Sequence, residues 1–421
     1  MNLFRALSIY TMSSLLGRAV PFFLLPIMTK YLTPDEYGVV SIYIVVVTFL
    51  STLMYWGAHV HIGIEYFRMA ENDYRKLLGR LSLISLFIFL VTILIFFFVN
   101  WQFSIEIFPP YIFISIPLAA ILGYLYRIMT VHFRVSNQQY KFAFTEVSAS
   151  LLQVLFSIGF VVFLSCGVQG RIGAILLSSL LISGYLLFYI KSKKLMAFDF
   201  NLNFYINYFK PGLAYVFNEL GNQVIRIGDK FLIMIFLGSS FVGTYAVAAQ
   251  VASIALILNS VFTQAWQPYV FRILSSNTPQ DKAKLYKLTL IIIGVFSFIY
   301  ISLGAVSIVI YDIFIDARYH ESLPAVKWLL SGFFFTFVYG VFADYMFFSR
   351  QLKKISLVTL FNLVLFIILS ILFLSEYGAF GVAYAFSLSS LSSTMLCAYL
   401  SYQCEYSLFK LTREAESKNE T

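Results

Sequence analysis

The chain has 421 residues, of which 60% are hydrophobic, 19% aromatic and 12% charged, and its mean hydropathy is +0.84. Water-soluble chains carry about 25% charged residues, so half that share leaves too few charges to cover a globule in water. Composition therefore excludes a soluble protein, a disordered chain, a collagen and a disulfide scaffold, and puts this chain in a membrane. The net charge of +9 says nothing about partners until its placement between loops is known. Cys166, Cys397 and Cys404 lie in or beside apolar stretches without metal-ligand spacing and are expected to be buried thiols.

A spanning helix needs about 20 mostly apolar residues. About twelve such stretches follow one another, near 9–29, 39–62, 81–99, 111–131, 143–165, 171–190, 213–237, 241–271, 287–311, 325–348, 356–374 and 379–403. Runs such as Leu86 to Val99 lack the period-2 alternation of a membrane barrel, so the spans are helices. The first stretch holds Arg18, Pro21 and Pro26, and Thr29-Lys30 offers no small-residue cleavage site, so it is read as a span and not as a signal peptide.

Lysine and arginine set the orientation, because positive residues resist translocation. With the N-terminus inside, twenty-two of the 29 fall on inner segments, four (Lys30, Arg171, Arg318, Lys327) on outer ones, and three (Arg18, Arg226, Lys230) within spans. The positive excess is thus mostly a topology signal and no evidence for nucleic acid. The expected protein is multi-pass, with both termini cytoplasmic. Outer connections are short, the longest running from Asp312 to Pro324, and no Walker loop, GxGxxG, HExxH or GxSxG motif is present, so no catalytic residue is assigned.

Two six-span halves would both start and end inside, which predicts parallel repeats. At an offset of 205 residues, Leu32 and Gly38 fall on Leu237 and Gly243; at 208, Gly170 and Gly173 fall on Gly378 and Gly381. The expected organisation is an N-terminal six-helix lobe over 1–190, a cytoplasmic hinge or linker over 191–212, a C-terminal six-helix lobe over 213–403 and a cytoplasmic tail over 404–421.

A charge at the bilayer centre costs about 2.5–3.5 kcal/mol on insertion scales, so ionisable residues there are functional candidates. Arg18 sits mid-span with no acid in its own span; it either pairs with a carboxylate such as Glu219 or meets a ligand. In the seventh span, Glu219, Asn222, Gln223, Arg226, Asp229 and Lys230 share one helical face across about three turns. Lipid cannot solvate such a stripe, so it faces a water-filled cavity or other helices. Either the stripe neutralises itself, or Arg226 and Arg18 face one cavity, where paired guanidiniums suit a diphosphate. Gln250, Ser253, Gln264 and Gln267 of the eighth span broadly share a face that could contact sugar hydroxyls or glue helices together. Glu146, Asp344, Arg127 and Arg134, near inner span ends, are expected to snorkel.

The stretches SSLLGRAVPFFLLPIMTKYLTPDEYG from Ser13, GDKFLIMIFLGSSFVGTYAVAAQVA from Gly228 and EYGAFGVAYA from Glu376 resemble the bacterial lipid-linked oligosaccharide flippases, the O-antigen (Wzx-type) transporters of the polysaccharide transport family in the MOP superfamily. Where that family carries arginine after the aspartate of the seventh span, this chain has Lys230, which keeps the charge and loses the fork. The resemblance implies a MATE-like MOP fold in the bacterial inner membrane, exporting an undecaprenyl-diphosphate-linked oligosaccharide by alternating access around a cationic cavity. No cofactor and no metal are expected. Arg18 and Arg226 would neutralise the diphosphate, the glutamines Gln223, Gln250 and Gln264 would contact the glycan, and Asn222 and Lys230 complete the expected substrate-binding set. Glu219 and Asp229 are the carboxylates that could couple transport to H+ or Na+. Other polysaccharide-assembly proteins are partners such a transporter could have. A cation or drug antiporter of the same superfamily and, from another class, a polysaccharide polymerase are the rival readings.

Overall fold

The structure, a computed structural model, describes residues 3–103, 110–276, 279–404 and 408; within its helices the side chains of Arg18, Asn222 and Arg226, among others, lie outside the described set. Fourteen α-helices follow one another among the described residues. By packing, the chain divides into two compact units, Met1–Lys230 and Phe231–Thr421.

The first unit holds α1 (Leu3–Tyr31), α2 (Pro34–Tyr55), α3 (Ala58–Glu65), α4 (Glu71–Phe103), α5 (Pro110–Val135), α6 (Gln139–Ser157), α7 (Gly167–Lys193) and most of α8 (Leu202–Leu237). The TPDE of the quoted motif is a helix start. Thr33 caps α2 by accepting from the Glu36 amide at 3.3 Å, while the Glu36 carboxylate accepts from the Thr33 amide at 2.8 Å, and Pro34 opens the first turn. The expected span 39–62 is broken instead at Trp56 (φ 43°) and Gly57 (φ 76°). The freed end is satisfied by the Tyr208 hydroxyl, which donates to the Trp56 carbonyl at 2.9 Å. A β-carbon on Gly212 would lie 2.1 Å from the Trp56 ring, so only glycine lets α8 pack there. α5 is the hub of the unit, packing against α2, α4 and α7.

The second unit holds the end of α8 with α9 (Ser239–Ala252), α10 (Ile254–Ser276), α11 (Pro279–Phe314), α12 (Leu323–Phe348), α13 (Leu352–Tyr377) and α14 (Ala379–Tyr402). α12 and α14 pack closely through small residues, as membrane helices do without a hydrophobic drive between them. A β-carbon on Gly332 would meet the Phe386 ring at 2.4 Å, the Ser331 and Ser387 hydroxyls lie 2.6 Å apart, and Thr394 donates to the Phe335 carbonyl at 2.8 Å. Cys397 is buried beside Met346, whereas Cys166 is exposed, contrary to the expectation of three buried thiols.

Eleven helical segments among the described residues are long and apolar enough to cross a membrane. α8, the seventh expected span, is not one of them, because the Glu219–Lys230 stripe lowers its hydropathy. The repeat is legible in the turns. α2 begins at Pro34 and α9 at Ser239, matching the offset of 205. At the other pair the register differs: Gly167 and Gly378 open α7 and α14 with φ of +50° and +58°. Gly170 and Gly381, each three residues on, carry the close approach to the preceding backbone at Phe160 and Phe373. The equivalent glycines are therefore 211 apart, one helical turn from the 208 that sequence alignment suggests.

Candidate functional site

Inside the first unit lies a cavity of about 480 Å³ walled by α1, α5, α6 and α7. Its polar lining comes from helical spacing. On α6, Glu146, Ser150 and Gln153 stand at i, i+4 and i+7; on α5, Arg127 and Arg134 are seven apart, about 10 Å along the axis. α7 adds Ser178, Ser179 and Ser183, and α1 adds Ser14 and Gly17. The four residues expected to snorkel at inner span ends therefore do something else. Glu146, Arg127 and Arg134 line this cavity, and Asp344 is 4% exposed in the second unit. A helix end in a bundle faces neighbouring helices as readily as the interface, and spacing from a span end does not distinguish the two.

The carboxylate of Glu146 reaches α1: a β-carbon on Gly17 would sit 3.2 Å from its Oε2. Tyr126 is hydrogen-bonded to the same carboxylate. Arg134 lies over the Phe142 ring at 5.6 Å and within electrostatic reach of Arg127 and Glu146. Arg127 in turn shares the surroundings of Tyr55 and His59 with Glu219 of α8. Two guanidiniums, the Glu146 carboxylate and the Tyr126 phenol thus share one cavity, in which Arg127 and Arg134 remain solvent-exposed. The cavity has the volume and the polar lining to hold water and a small ion.

Of the residues picked from sequence, Glu219 lies within electrostatic reach of Tyr55 and His59, as Arg127 does. Gln223, Asp229 and Lys230 follow it on the same face of the continuous α8, each half-buried, and the Lys230 amide donates to Asp229 Oδ1 at 2.8 Å. Arg18, Asn222 and Arg226 stand on described helices, but their side chains lie outside the described residues. Gln250 is half-buried on α9 and Gln264 exposed on α10. The helix is interrupted at Ser253, so Gln250 and Ser253 are not continued by Gln264 and Gln267 as one periodic face. Gln267 is instead committed to Asp344, donating to its Oδ1 at 2.8 Å. Arg171, counted from sequence on an outer segment, is buried and donates to the Ser157 hydroxyl at 2.5 Å. The signal sequence reasoning passed over was the Glu146–Ser150–Gln153 stripe, which has the same spacing logic as the stripe on α8.

A family model described as "polysaccharide biosynthesis protein" matches residues 27–327. The chain belongs to that family. No curated protein matches it in sequence. Among solved structures, it is similar to an inward-facing multidrug resistance MATE family transporter of the MOP superfamily, with 13% identity, TM-score 0.71 and 98% of each chain covered. It is equally similar to the lipid II flippase MurJ in an inward closed conformation, with 14% identity, TM-score 0.72, and 96% of this chain and 89% of that one covered. A Vibrio cholerae MATE transporter, VcmN, matches at 13% identity and TM-score 0.59 over 95% of each chain. At these identities the likeness establishes the fold alone: the chain is an all-α polytopic membrane protein with the fold seen in the MATE transporters and MurJ.

Proposed function

We propose that the protein is a flippase that moves a prenyl-diphosphate-linked oligosaccharide across the bacterial inner membrane, both termini cytoplasmic, as a unit of a surface polysaccharide such as O-antigen. The observation that carries this reading is the combination of a polysaccharide biosynthesis family with a transporter fold that also serves a lipid II flippase. Lipid II pairs a prenyl diphosphate with a sugar head, the chemistry that arginine clamps suit. In this reading Arg18, Arg226 and Lys230 neutralise the diphosphate, and Asn222, Gln223, Gln250 and Gln264 contact the glycan. Glu219 and Asp229 are the candidates for coupling to H+ or Na+, and the Glu146 network extends that set. The chain acts as a transporter and not as an enzyme, and the prenyl tail stays in the bilayer.

The test is translocation of a defined prenyl-diphosphate oligosaccharide in proteoliposomes, read by protection of the sugar from an external oxidant or lectin. Transport by the intact chain and its loss in Arg18→Ala and Arg226→Ala, with both variants inserted normally, is the expected result. Full transport by both variants would remove the arginine clamp; no transport by the intact chain of any prenyl-linked sugar, with extrusion of cationic drugs instead, would favour the multidrug antiporter reading that the MATE likeness supports.

A further inference from the structure

The connector after α7 has an arrangement that neither the cavity nor the transport reading uses. Lys191, Lys193 and Lys194 are all exposed and pair with no carboxylate among the described residues. Five large apolar side chains follow in the open: Phe198 (67% exposed), Phe200 (78%), Leu202 (60%), Ile206 (61%) and Phe209 (55%).

The first turns of α8 divide into three sectors. At about 100° per residue, Leu202, Ile206 and Phe209 fall within an arc of about 60°. Exposed Asn203 and Asn207 lie next round the helix. Phe204 and Tyr208 occupy the remaining side, stacked at 5.4 Å and turned toward the protein, where Tyr208 meets His61 at 4.7 Å. A helix buried in lipid has no use for an asparagine sector, and one in water has none for an apolar arc. α8 is also 36 residues long, or about 54 Å, against a hydrocarbon core of about 30 Å, so its first turns cannot all be spanning ones.

The segment is held in place. The Ala197 amide donates to the Arg75 carbonyl at 3.0 Å, and Arg80 forks onto Asp199 with Nε to Oδ1 at 2.7 Å while lying over the Phe204 ring at 5.2 Å. Gly79 permits the approach, since a β-carbon there would sit 2.2 Å from the Ala197 carbonyl oxygen. An apolar arc fixed on α4, next to three unpaired lysines at the end of the helix that charge asymmetry puts inside, has the chemistry of an interfacial anchor.

We infer that residues 191–209 lie in the inner membrane–water interface, the apolar arc in the acyl boundary and the lysines on the phosphates of anionic lipids. The anchor would fix the first unit at a set depth, and would make the α7–α8 connector sensitive to the lipid composition of the leaflet. This inference does not rest on the identity of the transported substrate.

The experiment uses the full chain with Cys166→Ser at its exposed cysteine, Cys397 and Cys404 being buried, reconstituted in vesicles of phosphatidylglycerol and phosphatidylcholine in equal parts. Single cysteines at Phe198, Leu202, Ile206 and Phe209, and at Asn203 and Asn207, are spin-labelled and their access to oxygen and to a water-soluble nickel chelate is compared. Oxygen is expected to dominate at the four apolar positions and the chelate at the two asparagines. Dominance of the chelate at Leu202, Ile206 and Phe209 would overturn the anchor, as would exclusion of both reagents, which would mean that protein covers the arc. Removing phosphatidylglycerol is expected to shift the labels toward the chelate, and Lys191→Gln, Lys193→Gln and Lys194→Gln together to abolish that shift; identical access in both lipids would overturn the electrostatic half.

Discussion

Gln267 on α10 donates its amide to the buried carboxylate of Asp344 on α12 across 2.8 Å, and no cation among the described residues shares the contact. A neutral amide holding a buried acid is a different arrangement from an ion pair. It tolerates the protonated acid, and it leaves the charged acid dependent on one bond.

Gln267→Leu is accordingly expected to destabilise the second unit by about 1–3 kcal/mol, the cost of orphaning a buried polar partner. The double variant Gln267→Leu with Asp344→Leu should recover much of that loss, since both polar groups leave together. Thermal unfolding of the four proteins in one detergent measures the coupling; strictly additive losses would show that the two side chains do not depend on each other.

Gly79→Ala should detach the connector from α4. Its new β-carbon would sit 2.2 Å from a backbone oxygen, a contact that no side-chain rotation relieves. Amide exchange at Ala197, whose N–H is bonded to Arg75, is the direct readout and should speed up at least tenfold; unchanged protection would mean the two backbones are not in contact.

The Arg80 fork holds the Asp199 carboxyl below its ordinary value, the hydrogen bond being the main cause. A carboxylate with a depressed folded value contributes above the unfolded value of about 3.9, and its contribution is lost as pH falls through the folded value. A spin label at Phe200 should therefore stay ordered at neutral pH and gain mobility only below about pH 4. Asp199→Asn should be mobile throughout, and a wild-type connector that loosened as pH rose from neutral would contradict the sign.

In the first unit, Glu146→Gln keeps the size of the side chain and removes its charge from the reach of Arg134. If the network takes part in transport, the reconstituted rate should fall about tenfold, equivalent to ~1.4 kcal/mol, with the melting temperature little changed. A fall in stability with an unaltered rate per folded molecule would assign Glu146 a structural role only.

Much of the fold was legible because the bilayer limits the alternatives to one pattern. Span after span of about 20 apolar residues without period-2 alternation needed no tertiary information. The repeat was legible as well, although one glycine pair was misaligned by a turn: the sequences GVQG and GAFG match at their ends, and which glycine carries the positive φ shows only in the backbone. The site was less legible. The stripe on α8 stands out because its charges crowd one span, while Glu146, Arg127 and Arg134 are single charges on three different turns of two helices.

Sequence alone determined the solvent this chain lives in and its helical class, because both depend on composition and on contacts within a few residues. Tertiary structure decided which polar residues meet. Whether Glu146 reaches the interface or faces α1 depends on how α5, α6 and α7 rotate about their axes, and that rotation is set by packing between helices far apart in the chain. The same holds for Asp344, which finds Gln267 across 77 residues, and for the connector, which Gly79 and Arg80 fasten to α4 from 119 residues away.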